Sequence, residues 1–402
     1  MNKTRRLIAL MASIAALSAA SATFAQKKYD PGANDKEIVV GAIYPFSGPA
    51  SGWGTVGKAA GAYFDKVNAE GGINGRKIRF VPLDDGFNPA KTVEVARKLV
   101  EQEQVLLVFN VFGTAGNSAI QKYLNAKKVP QLFIATLASK WGDPVNFPWT
   151  MAFQPNGKME SGIFASHILD TKPNAKVAVL YQNDDYGKDL LKGFTERLGD
   201  RAKTMIVAEV SYEITDATID SQLIALKASG ADTFINITSP KFAAMAIKKA
   251  GEIGWKPTQY LASGVSSVKS VLTPAGLENS VGLITGMFYK DPTDPQWAND
   301  TAMKEWVDFM KKYYPQGELT DSMNVAGPMY AQALVQVLKQ CGDNLTRENV
   351  MKQAASLDMT LPLLLPGIVV KTAPDDYYPV EREQLAKFDG KSWVLFGKVY
   401  GR

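Results

Sequence analysis

Few side chains in this sequence could do covalent or metal chemistry. Among 402 residues, His167 is the only histidine and Cys341 the only cysteine. A serine nucleophile needs an imidazole partner and an exposed turn to sit on, and no GxSxG occurs. His167 stands in FASHIL on a helical pattern, which suits a structural or surface imidazole better than a general base. One histidine and one cysteine cannot build a zinc site, and there is no GxxxxGK[ST] loop. The carboxylate pairs Asp84–Asp85 and Asp184–Asp185 remain, residue types that glycoside hydrolysis uses. Both pairs follow strand patterns directly, where Asp caps a helix or a turn, so an exported carboxylate hydrolase is only a remote alternative.

Residues 37–57, EIVVGAIYPFSGPASGWGTVG, point elsewhere. A strand pattern runs into a long Gly/Pro/Ser/aromatic loop that opens a helix, which places free N–H groups and Trp53 at the mouth of an α/β sheet. Gly52, Gly54 and Gly57 spell GxGxxG, but a dinucleotide fingerprint needs its first glycine immediately after the strand. Here Tyr44 to Ser51, with two prolines, intervene. The loop suits a small acid better than a nucleotide, with Ser47, Gly48 and the following N–H groups facing a cleft.

The elements that must position these residues alternate regularly. Strand patterns fall at 37–42, 77–83, 105–109, 131–134, 176–181, 204–209 and 233–237; helical patterns lie between them at 56–68, 90–103, 115–125, 187–198, 219–228 and 242–253. Strands separated by helices imply βαβ units and parallel sheets. A break at FPWTMAFQPNG, residues 147–157, divides the pattern into two successive doubly wound halves. Beyond Val281 the alternation weakens, with helices at 302–313 and 325–340 and a β-rich tail over 376–402.

The first 26 residues read as a secretory signal peptide: Lys3, Arg5 and Arg6, then an apolar run from Leu7 to Ala20, then small residues leading to Ala25. The apolar run is shorter than the ~20 residues that span a bilayer. No cysteine follows the cleavage region to take a lipid. The full chain carries 45 basic and 40 acidic residues; the leader holds three of the basic ones, which leaves +2 on the remainder. That balance supplies no field for nucleic acid or an anionic membrane. A chain of this length predicts two domains, stabilised by their cores alone, since one cysteine forms no internal disulfide. Cys341 is expected to be a half-buried residue at a helix end.

The segments SGPASGWGTVGKAAGAYFDKVNAEGGINGRKI, LDDGFNPAKTVEVARKLV and YQNDDYGKD, in this order and spacing, resemble the branched-chain amino-acid type of periplasmic solute-binding proteins of ABC importers. Two later segments, LFIATLASKWGDPVNFPWTM and LLLPGIVVKTAPDDYYPVEREQLAKFDGKSWVLFG, resemble a branch of that family linked to aromatic or other carboxylic acids. The resemblance implies a type I periplasmic binding fold, α/β, with two doubly wound Rossmann-like lobes joined by a three-strand hinge. Lobe 1 would take 27–155 and 288–366, and lobe 2 would take 156–287 and 367–402, with crossings near 153–157, 286–289 and 366–370. It also implies a monomeric, non-enzymatic periplasmic protein that needs no cofactor or metal, and a membrane permease as partner.

Carried over by position, the resemblance places a ligand carboxylate against Gly113, Thr114 and Ala115 and against Leu137, Ala138 and Ser139. Trp53 and Tyr186 would cover the ligand, with Ser239 and Gly264 contributing from the second lobe. Amino-acid-binding members have an acidic residue near LASGVSS, residues 261–267, to pair with the ligand ammonium. Here Gly264 takes that position, with Ser263, Ser266 and Ser267 beside it, and no Asp or Glu occurs between Glu252 and Glu278. A buried ammonium without a counter-ion is costly. The expected ligand is therefore a hydrophobic or aromatic carboxylic acid without an ammonium. A neutral amino acid paired with Asp184 or Asp185 is the alternative.

Overall fold

The computed structural model describes residues 27–401, so the leader lies outside the described residues. Two sheets organise the chain. The first contains β1 (Glu37–Tyr44), β2 (Lys77–Asp84), β3 (Leu107–Phe109), β4 (Gln131–Ile134) and β5 (Thr150–Ala152), all parallel, in the order β2-β1-β3-β4-β5. The second contains β6 (Val177–Gln182), β7 (Ile206–Tyr212), β8 (Thr233–Ile237), β9 (Thr258–Leu261) and β10 (Ile284–Met287) in the matching order β7-β6-β8-β9-β10. An antiparallel hairpin, β11 (Arg382–Phe388) and β12 (Trp393–Gly401), extends its far edge. Each sheet has a switch point beside its first strand, and the loops leaving the strand ends there form a crevice where α/β folds bind ligands.

Apolar runs buried on both faces fix the strands, as in β8 (TFINI) and β3 (LVF), every residue of which is buried. The helices that bear on the site are α1 (Gly54–Ala69), α2 (Pro89–Arg97), α3 (Thr114–Ala126), α4 (Gly157–Thr171), α5 (Asp185–Leu198), α6 (Asp220–Ala228), α7 (Pro240–Glu252), α8 (Thr301–Tyr313) and α9 (Met323–Cys341). Gly57 on α1 admits the ring of Tyr44, since a Cβ there would come within 2.5 Å of it. Close packing of helix on strand, not a phosphate, accounts for that glycine of the GxGxxG run.

Several expectations are corrected. The break at 147–157 contains β5, three residues too short to show alternation. The single helix expected over 90–103 is an α-helix to Arg97 followed by a wider turn over Lys98–Gln102. The four-residue strand β9 follows Pro257 too closely to show a pattern. Cys341 is fully buried at the end of α9, and burial pushes its thiol up to about 12. The chain passes between the two sheets at 153–156 and again at 287–290. The third crossing lies later than 366–370: Val370 still pairs with Met359, and Tyr377 and Tyr378 bond to Pro148 and Ser139 beside the first sheet. The chain passes to the second sheet only at 379–382, where the Val380 N–H donates to Phe153 O.

Candidate functional site

The loop after β3 turns sharply because Asn110 adopts φ 50°, donates its amide to Phe133 O at 2.7 Å and accepts from the Tyr44 hydroxyl. Asn117 then ties Val111 O and Gly113 O, held in turn by the Gln131 amide. Gly113 ends the turn at φ 89°, and a Cβ there would lie 2.4 Å from the Phe87 ring. No side chain at Gly113 can cap α3. The N–H groups of Thr114, Ala115 and Gly116 accordingly meet no protein acceptor among the described residues. The Thr114 hydroxyl bonds that of Thr136, at the end of the neighbouring strand β4.

This helix start opens on a cavity of about 660 Å³ of atom-free space, its mouth included, between the two lobes. Trp53, Val56, Phe87 and Phe112 line it from one side and Tyr186, Phe288 and Tyr289 from the other, with Met323, Ala326 and Tyr330 of α9 closing the end. No Lys, Arg or His contributes to the wall among the described residues. A helix N-terminus in apolar surroundings is an anion site without a formal positive charge.

Trp53 is 8% exposed and spans the cleft. Its Nε1 donates to Gly264 O at 2.7 Å, and its ring lies 5.4 Å from Phe87 and 5.5 Å from Phe112. The Tyr186 hydroxyl donates to Thr238 O at 3.3 Å. Both polar tips therefore bond within the protein instead of staying hydrated. Gly264 leaves open space, with only Leu137 Cδ1, at 3.9 Å, near an added Cβ.

Of the residues expected at the site, Trp53, Gly113, Thr114, Leu137, Tyr186 and Gly264 line this one cavity. Ala115 is not part of the lining, and its N–H meets no protein acceptor among the described residues. Ala138 and Ser139 face away, because Ser139 N and Oγ both donate to Asp189 of α5, at 2.6 and 2.8 Å. Ser239 is buried, and its Oγ and N–H are committed to the Tyr212 hydroxyl. Thr136 and Gln154 line the cavity and were missed. Thr136 stands one residue before a predicted contact, and Gln154 lies inside the break at 147–157, so a hydroxyl or amide at a strand end was the available signal.

The carboxylate pairs do not combine into catalytic machinery. Asp84 accepts from Ser47 and Gly86, and Asp85 from Phe87 N and Thr92. Asp184 caps α5 through Tyr186 N and Gly187 N and accepts the Gln182 amide on its other oxygen. It lines the cavity, and burial pushes its carboxyl up despite those bonds. Asp185 lies outside, paired with Lys140 at 2.7 Å. His167 bonds the Tyr260 hydroxyl at 2.6 Å, away from the cavity.

Behind Ser263 sits a second buried acid pair. Glu160 on α4 accepts the Ser263 N–H on both oxygens, at 3.1 and 3.2 Å, and burial, opposed by those bonds, raises its carboxyl to about 7. Glu383 on β11 has neither oxygen hydrogen-bonded among the described residues and is pushed up by burial and by Glu160.

Four further contacts join the lobes outside the cavity: Ser139 with Asp189, Lys140 with Asp185, Ser267 with Asp321 at 2.8 Å, and Lys269 with Glu318 at 3.2 Å. With Trp53 on Gly264, they hold the cleft closed.

Known proteins share this architecture. The Leu/Ile/Val-binding protein homolog 7 of Brucella suis biovar 1 (strain 1330) is 26% identical over 269 residues, 65% of this chain and 64% of the relative, so the match spans just under two thirds of that relative. A fatty acid ABC transporter substrate-binding protein from Thermomonospora curvata superposes with a TM-score of 0.78 at 22% identity, covering 94% of this chain and 95% of that one. An R. palustris ABC transporter solute binding protein in complex with 4-hydroxybenzoate gives 0.76 at 17%, covering 91% and 97%. At these identities the two structures speak for the fold and not for the ligand. The family model described as periplasmic binding protein matches residues 37–377, from the first strand of one sheet to the approach of the third crossing, and to that family the chain belongs.

Proposed function

We propose that the protein is an extracytoplasmic solute-binding protein that captures a small hydrophobic or aromatic carboxylic acid lacking an ammonium, and delivers it to an ABC importer permease. The observation that carries this reading is the uncapped start of α3, with three N–H groups and the Thr114–Thr136 hydroxyls, beside a wall that is mostly aromatic and aliphatic and carries no cationic side chain among the described residues. N–H donors and the helix dipole suit a carboxylate, and the rings suit a flat or apolar body. Gly264 brings no charge where an ammonium would need one. Binding drives closure only by its differential affinity for the closed form.

Native mass spectrometry of freshly purified protein, followed by calorimetry, tests the reading. A retained organic acid, with benzoate-like or aliphatic acids binding in the micromolar range, is the expected result. Leucine or valine binding at micromolar affinity with no heat from any simple acid overturns it.

One observation favours a second reading. Asp184 presents the cavity's only acidic side chain among the described residues, and an amino acid's ammonium would seek it. Valine binding that disappears for its deaminated analogue is the outcome that selects this alternative.

A further inference from the structure

The cavity has a second polar end. Gln154, two residues beyond β5 at the first crossing, is 8% exposed, and its Oε1 accepts the Tyr330 hydroxyl at 2.9 Å. Its amide nitrogen meets no acceptor among the described residues, although it belongs to the cavity wall. With its carbonyl end already held and its nitrogen on the cavity wall, this amide has a donor free to meet a ligand oxygen. Strands β3, β4 and β5 are consecutive neighbours. Adjacent strands lie about 4.8 Å apart, which puts Gln154 and the start of α3 roughly 10 Å apart along the sheet edge. The rings of Trp53, Phe112 and Tyr186 belong to the same cavity.

We propose that Gln154, oriented by Tyr330, forms a subsite for a hydroxyl or carbonyl oxygen at the end of the ligand opposite its carboxylate. The proposal rests on the carboxylic-acid reading above and narrows it to hydroxy- or keto-acids. A hydroxyl fits best, because it can accept from the amide and also donate. A second carboxylate does not fit, since no cationic side chain lines the wall to pair with it. Tyr330 is a positioning residue: its hydroxyl holds the carbonyl end of the amide and so presents the nitrogen. Sites built to hydrogen-bond a ligand oxygen discriminate against the analogue that lacks it, because the site's own polar group is then buried unpaired.

Calorimetry with two matched pairs of acids tests this: benzoate against 4-hydroxybenzoate, and hexanoate against 6-hydroxyhexanoate. Wild type is expected to favour the hydroxylated member of at least one pair by tenfold or more. Gln154→Leu should erase that preference, so that the two members of each pair bind within threefold of each other. Tyr330→Phe, which keeps the ring packing, should reduce the preference and leave the melting temperature near wild type. If wild type binds both members of each pair equally, or if Gln154→Leu retains the preference, the subsite is overturned and the carboxylic-acid reading stands. If none of the four acids binds, that reading itself fails, and the subsite with it.

Discussion

The two lobes share one strand order yet treat equivalent helix starts in opposite ways. After β3, α3 begins at a glycine that cannot cap it, and its first three N–H groups stay free. After β8, its counterpart α7 begins with Pro240, which has no N–H, behind a Ser239 already bonded to Tyr212. The second lobe's cavity-facing helix, α5, is capped by Asp184. The same topology thus leaves helix-start N–H groups without a protein acceptor in one lobe, while in the other the helix starts are closed by Pro240 and by the Asp184 carboxylate. The difference lies in loop chemistry at the helix starts, not in sheet topology.

The comparison breaks most directly at Thr114. Thr114→Asp places a carboxylate on the receiving side, as Asp184 does on the other, and keeps the favourable dipole contact for folding. At about 4 Å a like charge costs several kcal/mol at an intermediate dielectric. Calorimetry should show acid affinity down at least 100-fold, with the melting temperature within a few degrees of wild type. Trp53→Ala removes the covering ring and its bond to Gly264, worth about 2 kcal/mol, or roughly 30-fold in affinity. Stopped-flow measurements should place most of that loss in faster release.

A smaller effect probes the second lobe through its buried acids. Glu160 is raised to about 7 from 4.5, so the folded chain holds a proton that the unfolded chain releases earlier. That contribution is full below about pH 4.5 and declines as the pH rises toward 7. Glu383→Gln relieves the like-charge coupling, so the variant's advantage in melting temperature over wild type should widen by about 2 °C between pH 5 and pH 8. The smallest effect belongs to Asp184→Asn, where the cap persists: acid binding should change less than threefold. A tenfold or greater loss of binding, seen with an amino-acid ligand, would turn the second lobe into a partner for an ammonium.

The legible parts of the molecule were local. The alternation of β1 to β4 and β6 to β8 with helices was readable because each strand is an apolar run bounded by turn residues. Gly113 and Thr114 were placed at the site by the family resemblance, and the structure sets both on the cavity wall where β3 gives way to the start of α3. Gln154 was not, since a glutamine before Pro155 gives no hint that Tyr330, on another helix, will orient it. Ser139 was assigned to the ligand because the family resemblance places a carboxylate contact on its loop. Its actual partner, Asp189, lies 50 residues away, and only lobe closure brings the two together. The third crossing was displaced for a similar reason: Tyr377 and Tyr378 anchor on Pro148 and Ser139, contacts with no trace in the local pattern.

The contacts from Ser139 to Asp189, Ser267 to Asp321 and Lys269 to Glu318 touch no cavity atom, so their strength is the same whichever molecule occupies the cavity. They set the fraction of empty protein already in the binding-competent shape, and every dissociation constant scales inversely with that fraction. Loosening one of them would slide the whole affinity ladder downward without reordering its rungs. Capture strength and ligand choice are thereby written in separate sets of residues, and each can drift without disturbing the other.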